Sequence, residues 1–193
     1  SVSYNEKTGA VSSIINPTDK YKMNWVFASG DSNLTWQKSY QDWGLGKYNV
    51  DELGIKGELW NKPVEQLMAG KKSVLLYKTK CLDVKVERQP VGQDYVETYM
   101  FINTTGKKLS VNSLDIYAPF NDNYPDARTS ATNRCNAHVW SGMHSSYVNA
   151  IRMDGEAPLL GLVLTQGAMQ SYSLDGRGYH KDVPAQYSAS NVR

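Results

Sequence analysis

Two neighbouring segments hold the residue types most able to do chemistry. "PFNDNYPDA", Pro119 to Ala127, carries Asn121, Asp122, Asn123 and Asp126, hard oxygen donors of the kind that calcium takes. Their spacing is not that of a D-x-[DN]-x-[DN]-G loop, and no bidentate glutamate follows at the twelfth position. Asn, Asp and Pro are also what any turn selects. A plain turn is therefore the stronger reading, and no cofactor is expected; calcium at Asn121, Asp122 and Asp126 is the weaker alternative. "RCNAHVWSG", Arg134 to Gly142, brings Cys135, His138 and Trp140 close together. A strand would place Cys135 and His138 on opposite faces. A transition-metal site would need ligands from elsewhere, and His144 and His180 are the remaining histidines. A buried cysteine and a hydrogen-bonded histidine are expected instead.

Catalytic motifs are sparse. The chain has no G-x-S-x-G, H-E-x-x-H, Walker loop or G-x-G-x-x-G, so the common nucleophile, zinc and phosphate signatures do not apply. A pair of carboxylates about 5 to 9.5 Å apart across a cleft would suit glycoside hydrolysis. Glu97, Asp115 and Glu156 each interrupt or border an apolar run. The simpler expectation is that Glu97 faces solvent, Asp115 pairs locally and Glu156 belongs to a turn. Weak catalytic candidates are His138 and Glu156, as a general acid–base pair.

Aromatic residues form 11% of the chain, with 13 tyrosines and 5 tryptophans. Tyr and Trp join a flat apolar face to a polar edge, which suits the CH faces and hydroxyls of a pyranose. Trp25, Trp36, Trp43 and Trp60 lie in or beside an irregular first third. Exposed, they would make a sugar platform; buried, they would fill a core or an interface. Asp122, Tyr124, Asp126, His138 and Trp140 join them as candidates for glycan binding or for a domain interface.

These side chains need a scaffold, and the sequence describes one. In "CLDVKVE", Leu82, Val84 and Val86 alternate with Asp83, Lys85 and Glu87, the pattern of a half-buried strand. "QPVGQD" reads as a turn into "YVETYMFINTTG", where Val96, Thr98, Met100 and Ile102 oppose Tyr95, Glu97, Tyr99 and Phe101. Further β-rich runs follow: "LSVNSLDIYAPF", "AHVW", "SSYVNAIRM", "LLGLVLTQG" and "AMQSYSLDG". "GAVSSIINP" reads as an early strand stopped by Asn16-Pro17, and "PVEQLMAGKK" as a helical turn or two closed by Gly70. The expected fold is an all-β antiparallel sandwich.

Composition bounds the rest. The 193 residues fit one domain, read here as a single sandwich over 1–193 that is a fragment of a longer multidomain protein. Hydrophobic residues make up 40% and charged residues 21%, with a net charge of +2 and no basic run, which argues against nucleic acid or an anionic membrane as partner. No apolar run approaches the roughly 20 residues of a membrane span. The chain starts without a methionine, so either a signal peptide has been removed or it begins inside a longer protein. Cys81 and Cys135 could form one disulfide or remain two free buried thiols.

Several segments, taken in order, resemble a known family. They are "NPTDKYKMNWV", "DWGLGKY", "PFNDNYPDA", "RCNAHVWSGMHSSYVNAIRMDGEAPLLGLVLTQG" and the later "SYS". Together they resemble the N-terminal, galactose-mutarotase-like supersandwich domain of secreted bacterial polysaccharide-degrading proteins of the six-hairpin glycosidase type. The resemblance implies a carbohydrate ligand, a secreted, periplasmic or cell-surface location, and a C-terminal helical barrel as partner. It implies that this chain alone is non-catalytic and that the barrel of a glycoside hydrolase or polysaccharide lyase carries the catalytic carboxylates. Aldose mutarotases share the sandwich and use a histidine and a glutamate, which keeps a mutarotase-like enzyme as an alternative. A purely structural interaction domain is the third.

Overall fold

The computed structural model describes residues 1–19, 22, 24–26, 42–118, 120–121, 135–141, 146–152, 160–164, 174–176 and 189–192. Fifteen strands occur among them: β1 (Val2–Tyr4), β2 (Val11–Ile14), β3 (Gly46–Val50), β4 (Ile55–Trp60), β5 (Glu65–Ala69), β6 (Lys72–Lys78), β7 (Leu82–Val91), β8 (Asp94–Asn103), β9 (Val111–Ile116), β10 (Phe120–Asn121), β11 (Cys135–Ser141), β12 (Ser146–Arg152), β13 (Leu160–Leu164), β14 (Leu174–Gly176) and β15 (Ala189–Val192). The fold is all-β with antiparallel sheets, as the alternation requires. Contacts divide the chain into two compact units. One comprises Ser1–Ser3, Val11–Trp43 and Tyr117–Arg193; the other comprises Tyr4–Ala10 and Gly44–Ile116.

The second of these units is a sandwich. One sheet has the order β4-β3-β9 and the other the order β5-β6-β7-β8. Tyr48, Val50, Ile55 and Trp60 from the first sheet share a core with Leu75, Tyr77, Leu82, Val84 and Val86 from the second. Trp60 meets Phe101 of β8 edge-on at 5.6 Å between ring centroids, a favoured aromatic geometry. In β3, β6 and β7 the core takes the period-two face, and the wet faces carry ion pairs. On the outer side of β6 and β7, Lys72 and Lys85 both hold the Glu87 carboxylate, at 2.8 and 2.7 Å.

Local chemistry explains two departures from the sequence reading. Residues 65–69 form β5 rather than a helical turn, because Gly70 sits at φ 62° in the short hairpin that pairs Ala69 with Lys72. A positive φ serves a two-residue β-turn as well as a helix end. The β7–β8 turn is also tighter than "QPVGQD" suggests. Strand pairing runs to Val91 and Asp94, leaving Gly92 and Gln93 as the loop, with Gly92 at φ 63°.

In the other unit, β11-β12-β13 and β10-β15-β14 form two three-stranded sheets. Asn16-Pro17 ends the early strand as expected: the Asn16 side-chain oxygen accepts the Thr18 N–H at 3.0 Å. Asn24 then lays the following segment beside β2. Its side-chain oxygen accepts the N–H of Ile14 and of Val26, each at 3.0 Å, and its amide donates to the Ser12 carbonyl.

Candidate functional site

The structure gives each aromatic candidate a definite place. Trp25 and Trp43 are buried in the first unit and Trp60 in the second, each 3% exposed or less. The Trp25 N–H donates to the Ile14 carbonyl, and the Trp43 carbonyl accepts from Val11. Trp60 reaches the Gly44 carbonyl with its indole N–H at 3.4 Å. All three faces pack against protein, so none is free to stack on a sugar. Trp36, Asp122, Asn123, Tyr124, Asp126, His144, Glu156 and His180 lie outside the described residues. Asn121 is on β10, and Cys135, His138 and Trp140 are on β11, where alternation separates Cys135 from the other pair. Cys81 is a free, buried thiol.

Of the carboxylates, Asp115 pairs with Lys47 across β9 and β3 at 3.8 Å. Glu97 does not face solvent. It is the register partner of Arg88 across β7 and β8, and its Oε1 lies 2.8 Å from Arg88 Nε. Arg88 is 0% exposed. It continues the core-facing series Leu82, Val84, Val86 by one more step of two, a signal that period-two counting could have supplied. On β8 the inward face is accordingly the one with Glu97, Tyr99 and Phe101, and Ile102 is exposed.

Around this ion pair the second unit assembles a tyrosine cage. Arg88 Nη1 donates to the Gly9 carbonyl, and the guanidinium carbon lies 5.5 Å from the centre of the Tyr4 ring. Tyr99 donates to Glu97 Oε2 at 3.2 Å, Tyr77 donates to the Thr8 carbonyl at 2.9 Å, and the Tyr4 and Tyr95 hydroxyls bond to each other. Gly9 and Gly44, at φ 71° and 81°, have no room for a Cβ; at Gly44 it would strike Arg88 Nη2 and the Tyr99 hydroxyl.

The electrostatics follow from that burial. Burial pushes the Tyr77 hydroxyl up to about 12 and the Tyr99 hydroxyl well above its ordinary value, with Arg88 pulling both the other way. For Arg88, burial works against the charge, but Glu97, Tyr99 and Tyr77 outweigh it, so the proton is held more firmly than usual. A guanidinium with no exposed surface cannot meet a polymer. The cluster ties the segment Tyr4–Ala10 to β7 and β8, a structural role.

The sheet β11-β12-β13 is different in kind. Its register aligns His138 with Asn149 and Gly161, and Trp140 with Tyr147 and Val163. Sugar-compatible residue types from two strands, His138 and Trp140 on β11 and Asn149 and Tyr147 on β12, thus stand at opposed register positions. The chain also resembles part of a polysaccharide lyase. A solved structure of such a lyase matches all of this chain at 34% identity with a TM-score of 0.80. The chain spans 29% of that protein's length. No family model matches the sequence, and neither does any curated protein.

Proposed function

We propose that the chain is a non-catalytic β-sandwich module of a carbohydrate-active protein. The observation that carries this reading is the match over the full chain to less than a third of a polysaccharide lyase. A segment of that size is a natural unit of fold, and function has to be argued from the site it carries. The buried ion pair of Arg88 with Glu97 is walled in by tyrosines and serves the fold.

In finer detail, we take the module to be of the galactose-mutarotase-like supersandwich type and to belong to a secreted bacterial protein. It packs against a helical barrel that performs the depolymerisation, with polysaccharide lyase the favoured activity of the whole. The segments around Asn16, Asp42, Pro119 and Arg134 that resemble such domains support this, together with the lyase neighbour. The test is to assay the isolated chain and its longer parent on a polysaccharide panel, following the unsaturated product by ultraviolet absorbance. The parent should form product and the isolated chain should not; depolymerisation by the chain alone would overturn the reading.

A further inference from the structure

We infer that the edge strand β5 is a docking edge, to which an extended segment of the longer parent polypeptide adds as a further strand. β5 stands at the end of the sheet β5-β6-β7-β8, and all five of its residues are exposed. Leu67 is 64% and Met68 53% exposed, and Val64, just before the strand, is 54% exposed. The strand is nevertheless well formed. Its pairing with β6 runs without a bulge from Glu65–Leu76 to Ala69–Lys72, and the Val64 N–H donates to the Leu76 carbonyl at 2.8 Å.

The register shows that apolar side chains stand on both faces of β5. Opposed residues in an antiparallel sheet share a face, and successive residues alternate. Met68 is opposite Ser73 and Gln66 opposite Leu75, and both β6 residues are buried. Met68 and Gln66 therefore lie on the core side of the sheet, while Leu67, opposite Val74, lies on the outer side. On β6 the core side is covered in part by the early segment: Tyr77 donates to the Thr8 carbonyl, and Gly9 leaves no room for a Cβ beside Leu75. The same rows pass from buried on β6 to exposed on β5, so that cover ends at β6.

A regular edge strand with one charge, Glu65, among its five residues lacks the usual guards of lysine, proline or a bulge. Such an edge is a template for strand addition, with main-chain hydrogen bonds for affinity and alternate side chains for specificity. Charge decides against a second copy as the occupant. Antiparallel pairing of two β5 strands would set the Lys62 end of one beside the Lys71–Lys72 end of the other, and like charges placed opposite each other destabilise a sheet. The occupant that fits is an extended segment with apolar residues on both faces and acidic residues near its ends. The chain spans 29% of the lyase it matches, so a parent of that length holds ample polypeptide to supply it. This inference rests on the module reading and names the edge through which the module is joined.

Hydrogen exchange and methionine oxidation, read by mass spectrometry, compare the isolated chain with its longer parent. In the isolated chain the β5 amides should exchange early and Met68 should oxidise readily. In the parent both should slow by about tenfold or more, as expected for a segment that must open before it reacts. The hairpin at Gly92 and Gln93 serves as the unchanged reference. Leu67→Lys with Met68→Lys in the parent should return β5 to fast exchange while β6 and β7 stay protected, which separates lost docking from unfolding. Equal rates in chain and parent would overturn the inference. So would protection of β5 already in the isolated chain, whether constant with concentration, from its own residues, or rising with it, from a second copy. Each of those outcomes leaves the module reading standing, which fails only if the isolated chain depolymerises a polysaccharide.

Discussion

Arg88 and Glu97 stand opposite each other on β7 and β8, 2.8 Å apart, with the arginine fully removed from solvent. Taking one partner away leaves a buried charge uncompensated, which costs about 3 to 5 kcal/mol. Glu97→Gln should therefore destabilise the chain by about that much in urea unfolding. The double change Arg88→Met with Glu97→Leu should cost less than either single change, because it removes both charges. Equal additivity of the two single effects would contradict the pairing.

Glycines next to that pair differ from glycines in open turns. Gly44 and Gly92 both have positive φ, but a Cβ at Gly92 meets nothing and one at Gly44 meets Arg88 and Tyr99. Gly92→Ala should cost about 1 to 2 kcal/mol from backbone strain alone. Gly44→Ala should cost clearly more, measured by the same unfolding midpoints. Reversal of that order would remove the close approach of Gly44 to the guanidinium.

Alkaline titration reads the cage. Burial raises Tyr77 to about 12, and Tyr99, Tyr4 and Tyr48 are also raised by burial. A group raised on folding gives stability that is full below its unfolded value near 10 and is lost as pH climbs through the folded one. Tyrosinate absorbance should thus show a first group ionising near pH 10 and a later group that ionises together with unfolding at about pH 12. All 13 tyrosines titrating in one step near 10 would be incompatible with the cage.

The acid side is set by Glu87. Hydrogen bonds from Lys72 and then Lys85 hold its carboxyl down at about 2. A depressed carboxylate gives stability that is present above its unfolded value of 4.5 and is lost as pH falls towards 2. Melting temperatures of the wild type and of Glu87→Gln should therefore converge between pH 4.5 and 2. A gap that stays constant over that window would show that the two lysines do not act on Glu87.

Sequence patterning carried the fold further than it carried the site. The alternation Leu82, Val84, Val86 located β7 and its buried face, and the runs around His138, Tyr147 and Leu162 located β11, β12 and β13. β5 was obscured because Gly70 after "EQLMA" fits a helix end as well as a hairpin. β3 lay almost wholly in a stretch read as irregular, although Gly46, Tyr48 and Val50 alternate as buried positions with Lys47 and Asn49. The inward turn of Glu97 needed its partner: a lone glutamate on a strand reads as surface until an arginine across the ladder completes it. Burial of Trp25, Trp43 and Trp60 depends on contacts distant in the chain, which residue type alone does not encode. The two rows through His138 and Trp140 are visible only once the strand register is known.

Lack of turnover by the isolated chain is the central claim, and one nuclear magnetic resonance experiment tests it most directly. The isolated chain, and separately its longer parent, is mixed with each oligosaccharide of the panel, and sugar signals are followed. No vinylic proton signal from an unsaturated product with the isolated chain, and a growing one with its longer parent, are the predicted result. A growing vinylic signal with the isolated chain would contradict it.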